Sequence, residues 1–336
     1  MNLLEGSSGG GQLVRTALSL SAVTGEPFRM RHVRRARANP GLQAQHCAAI
    51  ETVAAVCNAE TDGVEVGSES FTFEPDAVEA DDDEELVFGG STSVEVGTAG
   101  SVPLVFDALL PVAVALDESF TARLEGGTDA KWAPPFDYFR HVKLPLLADH
   151  GLDAEATLDR RGYYPRGGGK ATLTIRPSTL DSLDVTERGE RQALTAYSVA
   201  DDGSADAEVA ERQLDAVPTD AEQHVEYGEA DCSGSALVLA AEYEHSRAGF
   251  GELGEMGVEA ETVGEKGTDR FVAFEDGDAA VDEHLADQLL PFLALAGGEI
   301  RVPDVTSHVE TCIDLLAEFG YEVSVEQDGD SVLLSA

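Results

Sequence analysis

The stretch EGSSGGGQLVRTALSL, residues 5–20, runs three consecutive glycines into a segment with helical apolar spacing and one arginine. Small residues ahead of a helix can leave backbone N–H groups facing an anion, with the helix dipole assisting. Glycine also serves simply as a tight turn where φ must be positive. No Lys-Ser/Thr pair follows the glycines, so the stretch is not a P-loop. The spacing is not the G-x-G-x-x-G of a dinucleotide site either. Both the anion loop and the turn stay open on this stretch alone.

Working outward, residues 12–23 read as helix, 28–33 as extended chain and 40–57 as helix. Short strands follow at 64–66 and 71–74. The acidic run EADDDEE (79–85) reads as a solvated linker. The order then recurs: a strand at 86–88, a helix from about 101, a strand near 120–124, a helix over 135–149, and two strands ending at 171–175. A third copy runs from 271 to the end, with helices at 281–296 and 308–319. Three β-α-β-α-β-β units of roughly 65 to 90 residues predict an α/β fold of repeated layers. The units span about 1–78, 84–177 and 271–336, so that 1–177 and 271–336 form one large domain. Residues 178–270 break the pattern and read as a small inserted α/β domain between units two and three. With 23 acids and six bases, that insert is too acidic to grip RNA by itself.

A chain of 336 residues with 43% hydrophobic content can bury a large core. No apolar run reaches the roughly 18 residues of a membrane span, and Met1 is followed by no basic-then-apolar leader. A cytoplasmic protein with no membrane partner is expected. Cys47, Cys57, Cys232 and Cys312 are scattered and form no C-x-x-C pair, which points to reduced core thiols and away from zinc. The charge is the unusual feature: 64 acids against 22 bases, a net charge of −42, with acids in every segment. Apolar periodicity and aromatics run throughout, so the acidity is not that of a disordered chain. A folded protein this acidic repels itself in dilute buffer and tolerates the charge best in concentrated salt, which predicts a halophilic protein.

Against that background the bases stand out. Arg29, Arg31, Arg34, Arg35 and Arg37 fall within nine residues, and residues 1–46 carry six bases and two acids. An arginine run can be only a solvated face. In a chain with just four lysines, its retention favours a phosphate or nucleic-acid site, since guanidinium forks match phosphate oxygens.

Five segments combine with this. RRARANPGLQAQH (34–46) places Arg34 and Arg37 before a Pro-Gly turn and Gln45 and His46 on the next helix. GGTDAKWAPP (126–135) and RRGYYPRGGG (160–169) are irregular loops after strands, where ligand contacts concentrate. DEHLADQLLPFLALAGG (282–298) opens a helix. SHVETCIDLLAEF (307–319) starts another, with a histidine in its first turn. Taken with GGGQLVRTALSL (9–20) and GTAGS (97–101), this ordered set resembles the RNA 3′-terminal phosphate cyclases from end to end. That family has three β-α-β-α-β-β units and a small inserted domain.

The resemblance implies an ATP-dependent enzyme that adenylates a histidine and passes AMP to an RNA 3′-phosphate. Attack by the neighbouring 2′-hydroxyl then closes a 2′,3′-cyclic phosphate. His308 matches the nucleophile, a role suited to a neutral imidazole. Arg15, Arg34, Arg37, Gln45 and His46 would bind the triphosphate or the RNA phosphate. Asp287 and Gln288 would contact the nucleotide, and Pro134 would lie against the adenine. His284 stands where the family has an aromatic that stacks on the base. Ser7 and Ser8 stand where the family has a glutamate that helps hold a divalent ion, Mg²⁺ or Mn²⁺. Glu5 is the candidate to replace that ligand. A non-catalytic relative binding ribosomal RNA during processing is the main alternative. An enolpyruvyl transferase, built from related repeats, lacks the His308 and 34–46 segments in this form.

The charge makes its own prediction. The unfolding midpoint should rise steadily as KCl is raised from about 0.1 to about 3 M, because screening relieves the self-repulsion. Circular-dichroism melts along that series check it, and a flat midpoint would overturn the halophilic reading.

Overall fold

The computed structural model describes residues 1–76, 88–97 and 99–336. The first unit comprises strand β1 (Asn2–Glu5), helix α1 (Gly11–Thr24), β2 (Phe28–Arg31), α2 (Ala44–Cys57), β3 (Glu60–Asp62) and β4 (Ser70–Glu74). Its sheet runs β1-β2-β4-β3, with β1 parallel to β2 and the other pairs antiparallel. The second unit repeats this with β5 (Gly90–Glu95), α3 (Val102–Leu109), β6 (Phe120–Gly126), α4 (Phe136–Tyr138), α5 (Leu144–Ala148), β7 (Ala154–Arg160) and β8 (Gly169–Ile175). A π-helical stretch, Phe139–Lys143, joins α4 to α5. The sheet order is β5-β6-β8-β7, again with one parallel pair.

The third unit opens with β9 (Leu183–Val185) and is then interrupted. The interruption holds β10 (Arg191–Asp201), α6 (Val209–Leu214), β11 (Glu222–Gly228), β12 (Ser235–Tyr243), β13 (Arg247–Leu253) and α7 (Ala260–Glu275). Its sheet runs β11-β10-β12-β13. The unit resumes with α8 (Glu283–Gln288), α9 (Leu290–Ala296), β14 (Gly298–Val302), α10 (Ser307–Glu318), β15 (Ser324–Asp328) and β16 (Ser331–Ser335). Its sheet runs β15-β16-β14-β9, with β9 parallel to β14. The three repeats thus share one topology.

This corrects the predicted boundaries. The insert does not begin at 178, because 183–185 form the first strand of the third sheet, and it does not end at 270, because α7 continues to Glu275 against β12 and β13. The interruption falls inside unit three, after its first strand. Other local readings shift too. Residues 40–43 are loop, since the Gln43 side chain and the His46 ring cap α2 at Ala44. Residues 64–66 are a turn, and the strand lies at Glu60–Asp62, where it pairs with β4. The strand expected at 86–88 is Gly90–Glu95. The acidic run 79–85 and residues 86 and 87 lie outside the described residues.

Packing follows from the burial pattern. The sheet faces alternate, as in β6, where Phe120, Ala122 and Leu124 turn inward. The helices meet on the inner side: α1 packs on α2, α3 and α10. Val14 and Leu18, Phe106 and Leu109, Leu290 and Leu293, and Val309 and Leu316 share one core. Each fully buried side chain of this size contributes about 1.5–3 kcal/mol. The interruption has a smaller core of its own around Leu237, Leu239, Phe250 and Phe271.

Gly298 marks the point where β9 docks. Its φ is 118°, and a Cβ there would sit 2.7 Å from the Leu183 nitrogen and 2.8 Å from the Leu183 carbonyl carbon. Gly298→Ala should therefore lower stability by about 2 kcal/mol. Urea titration in concentrated KCl tests this; an unchanged midpoint would show that β9 is not held there.

Candidate functional site

The glycine run sits at the N-terminus of α1, where Gly10 supplies no side-chain cap. A Cβ on Gly11 would lie 2.3 Å from His46 Nε2 and 3.3 Å from an Arg15 guanidinium nitrogen. A Cβ on Gly10 would lie 3.1 Å from an Arg37 guanidinium nitrogen. Glycine is required here by close approach. The side-chain heads of His46, Arg15 and Arg37 converge on this backbone.

His46 is buried, at 2% exposure. Its Nδ1 accepts a 2.9 Å hydrogen bond from the Gln43 N–H, which leaves the ring proton on Nε2. That Nε2 has no partner. Burial above all, then Arg34 and Arg15, pushes the His46 pKa down to about 3, so the ring is a neutral donor. A buried donor left unpaired costs about 1–3 kcal/mol, and an anion oxygen would satisfy it.

A small cavity of about 30 Å³ lies alongside, lined by Gln12, Arg15, Asp107, Lys143, Asp287 and Gln288, among others. The Lys143 ammonium is 2.7 Å from Asp107 Oδ1, and both are almost fully buried. Burial lowers the Lys143 and Arg15 pKa values, and the carboxylates of Asp107 (for both) and Asp287 oppose that shift. Two acids and two bases thus nearly neutralise one another in a largely buried space.

His308 occupies the first turn of α10, which Thr306 caps by accepting from the Val309 N–H. The ring is half exposed, with Nδ1 3.7 Å from Asp287 Oδ2. Gln12 Nε2 donates to Thr311 Oγ1 at 3.3 Å, tying the glycine loop to the histidine helix. His308, Asp287, Gln288, Arg15, Arg37 and His46 are therefore gathered around the start of α1.

The remaining predicted residues stand differently. Arg34, at φ 53°, donates to the carbonyls of Asn39 and Gly41 and braces the loop that carries Arg37. Gln45 accepts from the Ser101 N–H and holds unit one to unit two. Pro134 is buried, and His284 lies edge-on to Tyr138; neither lines the cavity. Glu5 is occupied by His32 Nδ1 at 3.1 Å and by the Ser7 N–H, and these contacts, His32 first, hold its carboxyl below the ordinary range. Among the described residues no group of three or more His, Cys, Asp or Glu could hold a metal ion. The donor set thus does not fit a protein-built metal site at Glu5.

Sequence reasoning missed Lys143 and Asp107. The available signal was a rare lysine, one of four, and a lone acid in the apolar segment 102–116. Nor could it show that the six bases of residues 1–46 form no ion pair among the described residues, whereas Arg160, Arg176, Arg191, Arg212 and Arg247 all do.

Comparison with known proteins places the chain in a family. The sequence model of the RNA 3′-terminal phosphate cyclase family matches residues 7–325. A protein named RNA 3′-terminal phosphate cyclase from Halobacterium salinarum is 66% identical over 339 residues, covering all of both chains. Proteins of the same name from Caldivirga maquilingensis and Archaeoglobus fulgidus are 40% and 36% identical. They cover 95% and 98% of this chain and are themselves covered over 92% and 99%. A solved structure of the enolpyruvyl transferase NikO from Streptomyces tendae aligns with TM-score 0.34 and 14% identity, over all of this chain and 48% of that one.

The His46 environment has a pH signature. The folded ring stays neutral down to about 3 while the unfolded side chain titrates near 6.5. The unfolded state takes up a proton in that window, so this contribution is complete above pH 6.5 and is lost as pH falls. One such proton gives a slope of about 1.4 kcal/mol per pH unit. His46→Gln should flatten the decline in unfolding free energy between about pH 6 and about pH 4 by that amount. Urea titrations of both proteins measure it, and parallel declines would show that His46 titrates normally.

Proposed function

Because the chain belongs to the RNA 3′-terminal phosphate cyclase family, we propose that it converts an RNA 3′-terminal phosphate to a 2′,3′-cyclic phosphate at the expense of ATP, with His308 as the nucleophile. The observation that carries this reading is the half-exposed His308 ring beside Asp287, which lines one cavity with Arg15, while Arg37 and His46 converge on the backbone at the start of α1.

In this reading Asp287 faces His308 Nδ1 and favours the tautomer with the proton there, leaving the Nε2 lone pair for attack. The 3.7 Å separation is longer than a hydrogen bond and would tighten with nucleotide bound. His308 Nε2 attacks the α-phosphorus of ATP; the bond to pyrophosphate breaks, and AMP is held on the ring. The RNA 3′-phosphate oxygen then attacks that phosphorus and frees His308. The 2′-hydroxyl next attacks the 3′-phosphorus, loses its proton and expels AMP. Arg15, Arg37 and the His46 Nε2–H stabilise the phosphate oxygens as charge shifts to the leaving groups. Arg34 and Gln45 contribute by holding the loops that present them. Asp287 and Gln288 position the nucleotide, with Pro134 and His284 beside its base.

A divalent cation, Mg²⁺ or Mn²⁺, enters this proposal only as a companion of the nucleotide phosphates, and no step is routed through it. We also read the working environment as a salt-rich cytoplasm. The net charge of −42 supports the salt, and no described helix is long and apolar enough to cross a membrane. A purely RNA-binding role in ribosomal RNA processing would leave the His308–Asp287 pair without a purpose.

Incubation with radiolabelled ATP in concentrated KCl should give acid-labile, base-stable label on the wild-type protein and none on His308→Ala. Label retained by that variant would move the nucleophile elsewhere. Arg37→Lys keeps the charge but loses the fork, and should lower kcat/KM for cyclisation by about 1–3 kcal/mol of transition-state stabilisation. Wild-type turnover in that variant would show that charge alone suffices.

A further inference from the structure

Away from the cavity, the loops 126–135 and 160–169 meet beneath two exposed aromatic rings. Trp132, the one tryptophan of the chain, is 90% exposed, and Tyr164 is 45% exposed. Their ring centroids are 6.4 Å apart, with planes at 73°. The Lys131 ammonium lies 5.3 Å from the Tyr164 centroid and also pairs with Glu255. Arg166 is exposed and has no ion pair among the described residues. We propose that Trp132 and Tyr164 form a stacking platform for an unpaired nucleobase of the RNA strand whose 3′ end enters the site; this rests on the RNA-substrate reading above.

Three observations carry it. First, the support under the rings is rigid. The Thr128 and Asp129 N–H groups donate to the Gly162 carbonyl, and the Gly162 N–H donates back to Thr128 Oγ1. The buried Arg161 joins Asp129 of one loop to Asp137 just beyond it, at 3.5 and 2.8 Å. Second, Trp132 has φ 63°, a region bulky residues seldom occupy, and its indole is left in water. Folding gains nothing from an indole held that way, whereas a ligand face would. Third, the platform shares the frame of the site. Loop 126–135 runs into α4, where the Tyr138 hydroxyl donates to Asp282, the N-cap of the helix bearing Asp287 and Gln288.

The choice of an RNA base follows from the charge. At −42 the chain repels phosphate at long range, and at about 1 M salt the Debye length is only about 3 Å, so attraction between exposed charges is largely screened. Base stacking on an aromatic survives salt and is indifferent to sequence. Lys131 and Arg166 flank the rings where a phosphate would follow.

The single tryptophan is a built-in reporter. The full-length protein in about 3 M KCl, titrated with a short single-stranded RNA ending in a 3′-phosphate, should show saturable quenching of its emission. Blunt duplex RNA, or the same strand with abasic sugars, should quench little. Trp132→Ala should weaken binding of labelled RNA about tenfold or more, with Trp132→Phe restoring most of it and Tyr164→Ala falling between. Absent quenching, or wild-type affinity in Trp132→Ala, would overturn the platform. So would an emission change that follows protein concentration without RNA, which would assign the rings to a second copy of the chain. Labelling of the wild-type protein by ATP alone separates the two failures: no label sinks the proposed reaction, whereas label without quenching sinks only the platform.

Discussion

Four groups converge on the buried carboxylate of Asp282, and the site exists because they do. The Tyr138 hydroxyl donates at 2.7 Å, the Gly249 N–H at 2.8 Å, and the His284 and Leu285 N–H groups at 2.8 and 3.1 Å. Tyr138 belongs to unit two, Gly249 to the interruption, and His284 and Leu285 to the first helix of unit three. One side chain therefore locks three parts of the chain together and sets the start of the helix that presents Asp287. Burial raises the Asp282 pKa, while His284, the Gly249 N–H and the Tyr138 hydroxyl pull it back. A buried carboxyl with this many donors is a satisfied node, whereas one lacking them would be costly.

Charge is distributed with the same economy. Most bases outside the N-terminal stretch are bound to carboxylates, as expected where acids outnumber bases nearly threefold. The arginines of residues 1–46 face no such partner among the described residues. Part of the reason is local: Arg34 spends its donors on the backbone of its own loop, and Arg15 is half-buried in a cavity where Asp107 and Asp287 offset its charge and that of Lys143. Exposed Arg37, beside the backbone at the start of α1 and without an ion pair among the described residues, marks a place where a phosphate can settle.

How much of this was legible depended on sequence distance. The glycine run was legible only as an anion loop or a turn needing positive φ; Gly9, Gly10 and Gly11 have no positive φ, and the reason for glycine at 10 and 11, side-chain heads close to the backbone, depends on contacts up to 35 residues away. The repeats were legible where strands alternate, as in β6, and illegible in β11, whose first five residues are all exposed and show no apolar period. The first strand of unit three is only three residues long and pairs with residues more than a hundred positions later, so nothing local identifies it. The Lys143–Asp107 pair is likewise non-local, 36 residues apart and hidden in apolar segments.

The candidate site also shows how a local folding signal can set a chemical one. Gln43 and His46 form a reciprocal cap on α2, the kind of exchange that normally ends in helix stability alone. Here the cap fixes the imidazole: with Nδ1 engaged by the Gln43 backbone, the tautomer is set and Nε2–H is turned toward Gly11 and Arg15. Burial keeps the ring neutral, so it adds a directed donor rather than a further charge to the arginines already present. A proton held in one orientation by a helix cap needs no reorganisation when a phosphate arrives, which is the condition under which a hydrogen bond contributes most to an anionic transition state.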